Sequence, residues 1–198
     1  MTIRKSVPLV AGLFLLVAAA CSSNKGPADQ AIKSAQAAYD AAKGDGLKYA
    51  PEKAHSVEAT LSAAKTSFDN GKYDAALSEA NSVLPAVNDM TAAASAKKDE
   101  LTRTWKELSN GVPKMVEAIQ SRVNHIAKSK ALPEGIDSTV FEGARSGLAD
   151  LTRMWSDATA AYQSGNIPTA VATAVIVKDQ AVRIMSSLGM QIPIAAAD

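Results

Sequence analysis

Small apolar residues recur every three or four positions along most of this chain, and that spacing fits one local structure. Ala54, Val57, Leu61, Ala64 and Phe68 form one stripe; Tyr73, Ala76, Ala80, Val83, Val87, Met90 and Ala94 form the next. An α-helix gathers positions three and four apart on one face, whereas a half-buried strand needs strict alternation. Alternating Val, Ile, Thr and aromatic runs bounded by turn residues do not recur, so strands are not expected. Aromatics make up only 5% of the residues, and the stripes are dominated by alanine, which lets helices approach closely but buries little area. The expected fold is therefore all-α: an elongated antiparallel bundle of five or six helices around a thin core.

The punctuation between stripes sets the expected boundaries over 27–190. Pro27 suits a first turn, with Asp29 near the positive end of the helix, and Ala31, Ala35, Ala38 and Ala42 line a face with Tyr39 beside it. Gly44-Asp45-Gly46 reads as the end of that helix. Pro51 opens the second helix and Asn70-Gly71 stops it. The third carries Pro85, where a kink near Asn81–Pro85 is expected. Leu101, Trp105 and Leu108 keep the same period, which allows one long rod until Asn110-Gly111-Val112-Pro113 reads as a stop and restart. Val116, Ile119, Val123 and Ile126 follow, then a loop at 131–135. Asp137 or Ser138 caps a helix carrying Ala144, Leu148, Leu151, Trp155, Ala158 and Tyr162. Gly165-Asn166 turns the chain into a last helix ended by Gly189, and 191–198 reads as a flexible tail.

Two hairpins, near 51–95 and 138–188, echo each other. When Gly71 is laid on Gly165, Ala64 meets Ala158, Phe68 meets Tyr162, Tyr73 meets Ile167, Ala76 meets Ala170, Ala80 meets Ala174 and Val83 meets Val177. A second echo sets Leu101-Thr102-Arg103-Thr104-Trp105 against Leu151-Thr152-Arg153-Met154-Trp155, on a different offset, so the repeat is not a regular array.

The N-terminus carries a different signal. Arg4 and Lys5 precede an apolar run from Val7 to Ala20, broken only by Pro8 and Gly12. A basic start, a short apolar core and small residues before a cut compose a secretory signal, and the run is shorter than the roughly 20 apolar residues a bilayer span needs. The chain's one cysteine, Cys21, stands directly after Ala18-Ala19-Ala20. A lone thiol in an exported protein has no intramolecular disulfide partner.

This stretch resembles the lipobox of bacterial lipoproteins, with Ala18 where leucine is usual. The resemblance implies cleavage between Ala20 and Cys21, removal of residues 1–20 as a signal peptide, diacylglycerol on the Cys21 sulfur, a further acyl chain (palmitate) on its new amino group, and a short tether over 21–26. Ser22 rather than aspartate after the cysteine favours the outer membrane over the inner, with the protein facing the periplasm. The Gly71 hairpin resembles one tetratricopeptide-type helix pair, and Ala54, Leu61, Ala64, Gly71, Tyr73, Ala76 and Ala80 give it a likeness to the alanine-rich domains of uncharacterised Gram-negative envelope lipoproteins. That family offers no catalytic residues to transfer.

The rest of the chain argues for binding or structure rather than chemistry. The charge is nearly balanced, Lys+Arg 21 against Asp+Glu 20, and 19 against 20 once Arg4 and Lys5 are lost, so no field favours nucleic acid. His55 has Glu52 and Glu58 on adjacent turns, but a di-iron bundle needs a second such pair and two more glutamates; His125 lies among Arg122, Asn124 and Lys128. No metal, cofactor or enzymatic activity is expected, and no nucleophile elbow or phosphate loop occurs. Trp105 and Trp155 fall on apolar stripes and are expected to anchor the core; the alternative is a platform for an apolar or anionic small ligand, with Arg103 and Arg153 stacking on the rings or meeting acidic partners. The expected partners are the membrane, through Cys21, and an envelope protein or a second copy of the chain.

Overall fold

The computed structural model describes residues 24–192. Among them are five α-helices and no strand: α1 (Lys25–Tyr49), α2 (Pro51–Asp69), α3 (Tyr73–Lys128), α4 (Ser138–Gln163) and α5 (Ile167–Ser187). The described residues divide into two compact units, unit 1 (24–43 and Glu52–Asp89) and unit 2 (Gly44–Pro51 and 90–192). Both are helical bundles. No polar or charged residue among those described is fully buried.

Unit 1 buries Ala28, Ala35 and Tyr39 of α1, Ala54, Val57, Leu61 and Ala64 of α2, and Ala76, Ala80, Val83 and Val87 of α3. The α2 and α3 stripes are the expected ones. The α1 face is rotated from expectation: Ala31, Ala38 and Ala42 are only partly buried, and the aromatic Tyr39 takes the interior because it removes more apolar area from water. Burial holds the Tyr39 phenol above its ordinary pKa, and Glu58 adds to the rise. On the exposed side, Asp40 accepts from Lys43 and from Gln36, each at 2.9 Å, and the two bonds hold its carboxyl below the usual range.

Unit 2 has the larger side chains. Trp105, Leu108, Val112, Met115, Ile119, Val123 and Ile126 of α3 meet Ala144, Leu148, Leu151 and Ala158 of α4 and Ala170, Ala174, Val177, Ala181 and Met185 of α5 in one apolar cluster. Asp137 caps α4, accepting from the Val140 backbone N–H at 2.8 Å. The open end of α5 is met by a cation: Arg122 Nη2 donates to the Leu188 carbonyl at 3.5 Å.

Three expected boundaries are corrected. The first helix does not stop at Gly44-Asp45-Gly46 but runs on to Tyr49. A β-carbon on Gly46 would lie 2.5 Å from Met90 Sδ, so that glycine serves close packing rather than a turn. The third helix does not stop and restart at Asn110–Pro113; it is unbroken from Tyr73 to Lys128 and passes through Pro85 as well. Each proline removes one backbone bond. Val83 and Val87 around Pro85, and Val112 and Met115 around Pro113, are buried, and packing of this kind outweighs the local preference. The first helix also begins at Lys25, ahead of Pro27.

The two glycine turns share one backbone. Gly71 and Gly165 have φ of 74° and 77°, the left-handed region that side chains avoid. Gly71 N–H donates to Phe68 O and Lys72 N–H to Ser67 O, each at 2.9 Å; Gly165 N–H donates to Tyr162 O at 2.9 Å and Asn166 N–H to Ala161 O at 2.8 Å. These paired bonds satisfy helix-end carbonyls that would otherwise face water or go without a partner.

Candidate functional site

Cys21 and Ala20, the expected lipidation and cleavage positions, lie outside the described residues. Among the described residues no helix is long and apolar enough to cross a membrane, and no group of three or more His, Cys, Asp or Glu could hold a metal. His55 Nδ1 lies 3.8 Å from Glu58 Oε2 in an exposed pair.

Unit 2 brings the tryptophans together. Trp105 on α3 and Trp155 on α4 stack with centroids 5.6 Å apart and planes within 5°. Tyr162 stacks on Trp105 at 4.6 Å and 10°. Trp155 and Tyr162 sit two turns apart on α4, about 10.5 Å along its axis. Trp105 stacks on both and is left 7% exposed. The similar pentads ending in Trp105 and Trp155 thus meet each other. Their arginines face solvent: Arg153 reaches Asp150 at 3.5 Å and Asp157 at 3.7 Å along its own helix, and Arg103 is exposed.

One turn before Trp155, Thr152 lines a cleft of about 580 Å³ between α3 and α4. Val123, Phe141 and Leu148 give it an apolar floor, and its polar lining comes from Gln120, Asn124, Arg145 and Thr152. The Gln120 amide N–H donates to Asn124 Oδ1 at 3.0 Å. Arg145 Nη1 meets both Glu142 carboxylate oxygens, at 3.0 and 3.1 Å, while its guanidinium carbon stands 6.0 Å from the Phe141 ring centre. Thr152 Oγ donates to the Leu148 carbonyl at 2.9 Å. Sequence reasoning missed this cleft. Its walls are two consecutive helices whose pairing the sequence does not specify, and each polar lining residue alone reads as an ordinary helix-surface position.

A second polar group secures the α4–α5 turn. Lys48 Nζ donates to the Gly165 carbonyl at 3.0 Å and stands 5.9 Å from the Tyr49 ring centre; Lys98 Nζ stands 5.5 Å from the same ring and pairs with Asp45 at 3.3 Å. These contacts hold the end of α1 in unit 2 and call for no ligand. No protein-family model matches the sequence, and comparison with curated proteins and with solved structures finds no match.

Proposed function

We propose that this chain is a lipid-anchored protein of the bacterial cell envelope with a structural or protein-binding role and no catalytic activity. The observation that carries the proposal is the placement of the lone Cys21 directly after Ala18-Ala19-Ala20, at the end of a basic-then-apolar leader. Two or more acyl chains on that residue give stable anchoring, since each buried CH₂ contributes about 0.8 kcal/mol. Ser22 in the next position supports the outer membrane, with the helices facing the periplasm. The binding role draws support from apolar side chains left on the surface of α5, where Val175 and Ile176 are 40% and 48% exposed.

The test is Cys21→Ala in cells fed labelled palmitate. Loss of label and release of the protein from the membrane fraction are expected; unchanged label and unchanged membrane association would refute the anchor. Crosslinking in intact cells tests the binding role, with a reproducible protein adduct or a homodimer as the expected product. A second reading, a carrier of an apolar or anionic small ligand near Trp105 and Trp155, is supported by the cleft one turn along α4. The space beside Trp105 itself is filled by Trp155 and Tyr162.

A further inference from the structure

We propose that the α3–α4 cleft of unit 2 takes the free C-terminus of a peptide that ends in an apolar residue. The inference deepens the protein-binding role above and is independent of Cys21.

The volume, about 580 Å³, falls within the range of small-ligand sites. Arg145 is the one charged residue in the lining. Glu142 engages Nη1 alone, which leaves Nη2 and Nε to donate, and the Phe141 ring beside the guanidinium restricts where it can swing. Gln120 spends an amide hydrogen on Asn124 Oδ1, so Asn124 presents its Nδ2 donors and Gln120 its Oε1 acceptor. Thr152 has spent its hydroxyl hydrogen on Leu148 and keeps only lone pairs.

The lining therefore offers the remaining N–H groups of a guanidinium that is already paired with Glu142, a neutral donor, two acceptors and an apolar floor. A peptide terminus answers all of these. Its carboxylate accepts from Arg145 and Asn124, a charge-assisted pairing that arginine suits. Its backbone N–H donates to Gln120 or Thr152, and its last side chain lies on Phe141, Val123 and Leu148. A fatty acid would use the donors and the floor but neither acceptor, and inorganic phosphate would leave the floor bare. The peptide is the occupant that wastes least of the lining.

The test is fluorescence polarisation with the purified full chain in mild detergent, the detergent alone serving as the blank. The probe is fluorescein-labelled Ala-Ala-Val with a free carboxylate, compared with the same peptide as its C-terminal amide. Saturable binding of the acid is expected. Affinity should fall by about tenfold or more for the amide, and equally for Arg145→Gln at an unchanged helical melting curve. Equal binding of acid and amide, full affinity in Arg145→Gln, displacement of the peptide by an equal concentration of acetate, or no saturable binding would each overturn the assignment. Those outcomes leave the crosslinking test untouched, so failure of this site and failure of the wider binding role are told apart.

Discussion

The α2–α3 hairpin of unit 1 and the α4–α5 hairpin of unit 2 turn through the same backbone and bury different things behind it. Both bend at a glycine of positive φ with the same pair of closing hydrogen bonds. Both bury an alanine before the turn, Ala64 or Ala158, and two after it, Ala76 and Ala80 or Ala170 and Ala174. Beyond those alanines they part. Unit 1 seals its turn locally, Phe68 against Tyr73 at 5.2 Å and 65°. Unit 2 seals it from another helix, Tyr162 against Trp105 of α3. Deeper in, Val57 of α2 takes the place that Leu151 takes in α4. Val57 and Val83 are unit 1's largest side chains of near-zero exposure, where unit 2 has Met90, Ile119, Ile126, Leu151 and Leu188. Glycine and alanine thus fix how two helices meet, and larger residues set how much each meeting contributes.

The largest expected effect comes from removing that deeper residue. Leu151→Ala should destabilise unit 2 by about 2–5 kcal/mol through lost transfer energy and the cavity left behind. Val57→Ala, at the matching place, removes roughly two methylene equivalents and should cost nearer 1.5 kcal/mol. Denaturant melts of the two variants give the ratio directly, and equal losses would break the comparison.

Next in size is Gly46→Ala. Its new β-carbon meets Sδ of the fully buried Met90 at 2.5 Å, and the overpacking, offset by a helix gain of up to about 1 kcal/mol, should leave a net loss of about 1 kcal/mol. Gly44→Ala, two positions earlier in the same helix, meets nothing within 4 Å. It should stabilise by about 0.5–1 kcal/mol through a less flexible unfolded chain and better helix propensity. Opposite signs in the two melts are the expected result.

The two turn glycines should respond alike: Gly71→Val and Gly165→Val each force a branched residue into the left-handed region, costing on the order of 1 kcal/mol or more. A marked difference between them would show that the aromatic seal, not the turn, carries the strain.

The smallest effect is alkaline and belongs to unit 1. Because folding raises the Tyr39 pKa, the neutral phenol's contribution is fully present below the unfolded value of about 10 and is lost as pH climbs through the folded one. Urea midpoints at about pH 9 and about pH 11 should therefore fall further in the parent than in Tyr39→Phe.

These contrasts also show what could be read in advance. The stripes of α2 through α5 were legible because a three-and-four spacing has one geometric meaning. The turns at Gly71, Gly165 and Gly189 were legible because each glycine follows the last striped residue. Gly44-Asp45-Gly46 and Asn110–Pro113 were misread because glycine and proline carry two messages. They break a helix when nothing holds it, and they sit within one when neighbours such as Met90, Val112 and Met115 pack around them. Only tertiary packing decides between the two. The Trp105–Trp155 stack was half legible: both rings were expected in the core, but their meeting depends on how α3 and α4 pair. The α3–α4 cleft left no trace in the sequence for the same reason.

The mass of the N-terminal peptide of the native protein tests the proposed anchor most directly. A peptide beginning at residue 21 with a diacylglyceryl-modified, N-acylated cysteine is expected. A different first residue, or residue 21 with a free thiol, would contradict it.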